Sequence, residues 1–91
     1  MKDVRVMLFT EDDEVSSQVR RVVRTVCARL NISVDEYKKE LDTNRTFQRY
    51  GVNDTPVCKI CIEHLPVTTI IGNTTSEKLE KQLSLVFSEY K

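Results

Sequence analysis

Cys58 and Cys61 in the run Cys58-Lys59-Ile60-Cys61, His64 just after it, and Cys27 upstream are the residues whose type and spacing suit thiol or metal chemistry. Two cysteines separated by two residues have the spacing of a dithiol centre, where one thiolate attacks a disulfide and the second resolves the mixed intermediate. Their surroundings argue against that use. Val57-Cys58-Lys59-Ile60-Cys61-Ile62 is largely apolar and reads as a strand. Residues three apart in a strand point to opposite faces, and neither thiol gains the field of a helix terminus. Structural zinc closes four ligands around a knuckle, whereas Cys58, Cys61 and His64 leave a ligand missing and need a bent strand. Inert thiols are the plainer reading, with redox chemistry at Cys58 or Cys61 as the alternative. Cys27 falls on an apolar helical stripe as a small core side chain, and His64 occupies a surface turn that needs no chemical role.

The acidic run Glu11-Asp12-Asp13-Glu14 stands where a helix begins. Asp12 or Asp13 can cap free amides there, and the helix dipole favours the negative charge. The run is also a possible acidic recognition patch for a basic partner. Arg20, Arg21, Arg24 and Arg29 read as solvated charge. Gly51 and Gly72 are the only glycines, too few for a phosphate-cradling loop.

These residues are carried by a regular succession of elements. In Val4-Arg5-Val6-Met7-Leu8-Phe9, the residues Val4, Val6 and Leu8 share one face and Arg5, Met7 and Phe9 the other, which suits a central strand covered by helices on both sides. Thr10 ends it. Val15, Val19, Val22, Val23, Val26, Cys27 and Leu30 then recur at helical spacing. Residues 31–42 are ambiguous: Ser33-x-x-Glu36 has the form of a capping box, yet a parallel strand near residues 36–41 gives the preceding helix a crossover role and is preferred. Thr43 or Asn44 can cap a short helix ending at Tyr50-Gly51, with Phe47 and Tyr50 inward. Pro56 opens the third strand, Glu63-His64-Leu65-Pro66 turns the chain, and residues 67–71 complete a hairpin. Thr74-x-x-Glu77 offers a second capping box, followed by a stripe of Leu79, Leu83, Val86, Phe87 and Tyr90. The order is β-α-β-α-β-β-α, an α/β domain with a central mixed four-stranded sheet spanning residues 1–91.

With 91 residues, 40% hydrophobic and 31% charged, there is room for one modest core. Fourteen basic and fourteen acidic residues cancel, so no overall field concentrates nucleic acid. No apolar run reaches membrane-spanning length and no leader is apparent, so the expected setting is cytoplasmic, without membrane attachment. Three cysteines cannot all pair within one chain. No cofactor is implied.

The element order, Phe9-Thr10 leading into a helix, Tyr50-Gly51-Val52 followed by Thr55-Pro56-Val57, and Gly72 before the closing helix together resemble the thioredoxin and glutaredoxin superfamily. The resemblance spans nearly the whole chain. It implies that Pro56 follows a cis bond beside the start of the first long helix, and that Thr55 offers backbone hydrogen bonds to an extended peptide. Asp54 and its neighbours would lie opposite residues 13–17. The family's redox cysteines would fall on Glu14 and Ser17, and both thiols are absent. A carboxylate cannot undertake thiol exchange, and Ser17 has no adjacent base to activate it. The resemblance therefore implies a redox-inactive binding module for a peptide or protein, built from Thr55, Pro56, Asp54, Asp13, Glu14 and Ser17. A monomer is expected, or a weak homodimer paired through a sheet edge.

Overall fold

The computed structural model describes residues 3–89. Tyr90, assigned above to the last helical stripe, lies outside the described residues. The chain forms β1 (Val4–Thr10), α1 (Glu14–Arg29), β2 (Ser33–Lys38), α2 (Thr46–Arg49), β3 (Val57–Ile62), β4 (Leu65–Ile71) and α3 (Ser76–Glu89). The sheet order is β2-β1-β3-β4, with β1 parallel to β2 and antiparallel to β3, and β4 antiparallel to β3. A parallel neighbour for β1 requires a crossover, and α1 supplies it.

The alternation in β1 divides the molecule into two cores. Val6 and Leu8 join Cys58, Ile60 and Ile62 of β3 beneath Val19, Val23 and Val26 of α1 and Leu79, Leu83 and Val86 of α3. Met7 and Phe9 face the other way, with Val57 and Cys61, and are covered by Phe47 and Val52. Phe9 is the centre of this second core. Its ring stacks on Tyr37 with centroids 5.3 Å apart and meets the edge of Phe47 at 5.1 Å. A helix as short as α2 has little stability of its own, so Phe47 docking on Phe9 is what holds it. The two long helices thus share one face of the sheet, and among the described residues the opposite face has only α2 and its flanking loops, less cover than the two-sided arrangement expected.

Several expected boundaries move, each for a local reason. The second strand is Ser33–Lys38 rather than residues 36–41; Lys39–Leu41 forms a 3-10 turn and Leu41 is exposed. Ser33-x-x-Glu36 is not a capping box, because it lies within β2. Neither Thr43 nor Asn44 caps α2: Arg45 adopts a left-handed conformation, and the Asp42 carboxylate accepts from the amides of Thr46 and Phe47 at 2.9 and 3.2 Å. Thr75, rather than Thr74, caps α3, its hydroxyl accepting from the Lys78 amide at 3.3 Å. The hairpin turn is only Glu63-His64, both with positive φ as the tight two-residue turn demands, so Leu65 and Pro66 already belong to β4. β1 does end at Thr10, its last residue.

The α1 stripe is narrower than its valines suggest. Val15 is 43% exposed, Leu30 is also exposed, and Phe87 on α3 is 40% exposed. Val22 is half-buried at the margin of the core, whereas Val23 is fully buried. Val23→Ala should therefore cost about 2–3 kcal/mol and Val22→Ala about 1 kcal/mol or less, in line with typical core truncations. Urea denaturation of the two variants checks the order; equal losses would contradict this packing.

Candidate functional site

Strand register brings three segments to one end of the sheet. Phe9 lies opposite Val57, and Val57 opposite Ile71, so Thr10, Pro56 and Gly72 are the next residues along the three chains. The Gly72 amide donates to the Pro56 carbonyl at 2.8 Å. Gly72 has φ +82°, a conformation open to glycine and strained for other residues. The Thr55–Pro56 peptide is cis. Pro56 is fully buried, Thr55 half-buried, and Asn53 and Asp54 are exposed.

The loop after β1 folds back on the start of α1. Asp13, in extended conformation, accepts from the Ser16 amide through Oδ1 at 2.8 Å and from the Ser17 amide through its carbonyl at 3.1 Å. Hydrogen bonding from the backbone and side chain of Ser16 holds the Asp13 carboxyl below the usual carboxylate range. Ser16, fully buried, in turn accepts from the Glu11 amide at 3.1 Å. Asp13 is therefore the cap, and Glu14 is the exposed first residue of α1. Ser17 is half-buried one turn further on. Glu11 pairs with Lys39 at 3.0 Å, which ties the acidic loop to the end of β2.

A charged cluster beneath this end was not legible as such in the sequence. Glu36 lies opposite Leu8 and so faces α1. Its side chain is 7% exposed; Arg20 Nε donates to Oε2 at 2.7 Å, Arg24 Nη2 to Oε1 at 2.9 Å, and the Thr10 hydroxyl to Oε2 at 2.8 Å. Desolvation pushes the Glu36 carboxyl upward, but the hydrogen bonds from Arg24, Arg20 and Thr10 outweigh it and leave the group below its ordinary range. Arg20 and Arg24 are thus not merely solvated charge. The available signal was weak: two arginines one helical turn apart beside Val19 and Val23, and an acid sharing a strand face with Val34.

The thiols are placed where chemistry is hard. Cys58 lies in the helix-side core with Cys27, and Cys61 in the opposite core. All three are free and buried. Burial pushes Cys27 up to about 11 and Cys58 up to about 12, and raises Cys61 as well. Thiolate attack at neutral pH is correspondingly suppressed. Among the described residues, no three histidine, cysteine or acidic side chains are grouped to hold a metal. No helix among them is long and apolar enough to cross a membrane.

No family model matches the chain, and no curated protein matches it by sequence. Solved structures do. Thioredoxin 1 from the thermophilic eubacterium Thermosipho africanus TCF52B superposes with a TM-score of 0.81 at 10% identity, over 92% of this chain and 94% of that one. A single-residue mutant of a thioredoxin from Halobacterium salinarum gives 0.78 at 18% identity, over 88% and 71%. Thioredoxin-2 of a malaria parasite, a component of that parasite's protein secretion machinery, gives 0.75 at 13% identity, over 91% and 82%. The fold is thioredoxin-like.

Replacing Glu36 by Gln leaves two guanidinium groups facing a neutral amide and should cost about 1–3 kcal/mol, the range for charge-assisted hydrogen bonds. Because the folded carboxyl sits below its unfolded range, its contribution is complete above the unfolded value of about 4.3 and is lost as pH falls through the lower folded value. Urea midpoints measured from pH 6 downward should accordingly converge for wild type and Glu36→Gln in acid. A constant gap across that range would contradict the assignment.

Proposed function

We propose that this chain is a redox-inactive recognition module that binds an extended peptide or protein segment at the groove around Thr55 and Pro56. The observation that carries the reading is the start of α1. On a thioredoxin-like fold, where the resemblance places a pair of thiols, this chain has Glu14 and Ser17. Exchange chemistry needs a thiolate nucleophile and a resolving thiol, and neither Glu14 nor Ser17 supplies one. Cys58 and Cys61 do not stand in for them, since the sheet separates the two and burial raises both thiols.

The remaining groups suit recognition. Thr55 offers main-chain hydrogen bonds to an extended segment, and Pro56, buried and tied to Gly72, fixes where they point. The resemblance implies that Asp54 borders the groove on one side and that Asp13, Glu14 and Ser17 border the other. The positive end of the α1 dipole is already answered by Asp13 and Glu14, which leaves the lip acidic and favours a basic segment over an anionic ligand. The network of Thr10, Glu36 and Arg20 stiffens the floor, so little ordering is needed on binding.

Extended peptides selected from a displayed random library should be enriched in Lys and Arg, and their binding should weaken with salt. Fluorescence anisotropy on Thr55→Arg and Glu14→Lys should show at least about tenfold weaker binding, equivalent to about 1.4 kcal/mol, with circular dichroism unchanged. Binding that survives both substitutions in folded protein would place recognition elsewhere and overturn the groove.

A further inference from the structure

β4 is the terminal strand of the sheet, and the two halves of its outer edge differ. At the start of the strand, Pro66 cannot donate a ladder bond, and a register shift opposite Ile60 and Cys61 introduces a bulge. Both are devices by which sheet edges refuse foreign strands. Thr68, Thr69, Ile70 and Ile71 have no proline, charge or bulge among them, and all are β-branched.

The direction of the free backbone groups follows from the ladder. The bond from Gly72 to Pro56 makes these two a hydrogen-bonded pair, and opposed residues in an antiparallel ladder alternate between bonded and non-bonded pairs. Ile71 with Val57 and Thr69 with Lys59 are then the non-bonded pairs, so Thr69 and Ile71 aim their N–H and C=O groups at the open edge. A groove of about 490 Å³ runs along the helix side of this stretch, between Ile70 and the α3 residues Lys78, Lys81 and Gln82. Glu80 pairs with Arg29 of α1, whereas Lys78 and Lys81 make no ion pair among the described residues. Thr74 lines the same groove, 5% exposed, and its hydroxyl has no hydrogen-bond partner among the described residues. On the other face Ile71 is 71% exposed.

We propose that this edge takes an extended acidic peptide as a fifth strand. Main-chain bonds form to Thr69 and Ile71; alternate carboxylates lie over Lys78 and Lys81, and the intervening apolar side chains lie beside Ile71. Charge selects this occupant over a second copy of the chain. Pairing β4 with itself about a two-fold axis sets the lysines of each copy in the same two grooves, with no acid from the partner strand to answer them. On its other face the site adjoins the Asn53-Asp54 loop, which lines a groove with Thr69 and Ile71, but its bonds form along the open edge of β4 and do not depend on Thr55.

The test is a nitrogen-15 NMR titration of the full chain with acetyl-(Glu-Val)4-amide, alongside acetyl-(Lys-Val)4-amide. The acidic peptide should shift the amides of residues 68–71 and Lys78, with Thr69 and Ile71 moving downfield and gaining exchange protection. Lys78→Glu combined with Lys81→Glu, both at exposed positions, should weaken its binding at least about tenfold and admit the lysine peptide instead. Thr69→Pro, which removes an outward donor and no bond of the ladder, should abolish binding. No shifts at millimolar peptide, equal binding of both peptides, or shifts centred on residues 53–56 would overturn the proposal. So would a dimer at the same edge in sedimentation, which would make the occupant a second copy.

Discussion

Leu8 lies opposite Glu36 on one side and Cys58 on the other, and the arrangement of this molecule depends on that register. Side chains in a strand alternate with period two, so a slip of one residue would exchange Val6 and Leu8 for Met7 and Phe9 in the helix-side core. It would also carry Glu36 away from Arg20 and Arg24, leaving those charges to face the sheet. Apolar packing and a charged cluster therefore specify the same alignment independently. Burying a carboxylate costs desolvation energy, which two arginines and the Thr10 hydroxyl offset. Thr10 belongs both to this cluster and to the strand end that leads into α1, so the register of the sheet reaches the candidate site directly.

At the start of α1 the local field favours negative charge, and carboxylates supply it. A helix N-terminus stabilises negative charge whatever atom bears it, and Asp13 and Glu14 occupy that position. A carboxylate, unlike a thiolate, has no route into disulfide exchange. On the proposed reading, the strand ends, Pro56 and Gly72 continue to present a backbone surface, and the acidic lip selects what lies on it. Function then rests on shape and charge, with no bond made or broken.

The strongly periodic parts of the chain were legible in the sequence. Alternation in β1 gave both of its faces, spacing along α1 gave Val19, Val23, Val26 and Cys27, and period-two reasoning placed Cys58 and Cys61 on opposite sides of the sheet. Details settled by tertiary contacts were not. A strand through Glu36 was the preferred reading over a capping box at Ser33-x-x-Glu36, but its start at Ser33 and the inward aim of Glu36 at Arg20 and Arg24 carry no local signal. The Asp42 cap depends on a left-handed Arg45, which no side-chain pattern signals. Val15 and Phe87 continue their helical stripes in sequence, but they lie beyond the area the sheet covers. Thr74 and Thr75 are alike locally, and the start of α3 at Ser76 makes Thr75 the cap and leaves Thr74 buried before it.

The most direct measurement is the rate of insulin disulfide reduction by the wild-type protein beside a Glu14→Cys/Ser17→Cys double variant, both verified as folded. Wild type at the background rate, with the variant clearly above it, is the result predicted, since the scaffold at the start of α1 would then lack only its thiols. Turnover by wild type, lost on replacing Cys58 or Cys61, would contradict the redox-inactive reading. A folded double variant with no activity would show that these two positions are not the ones where this fold places exchange chemistry.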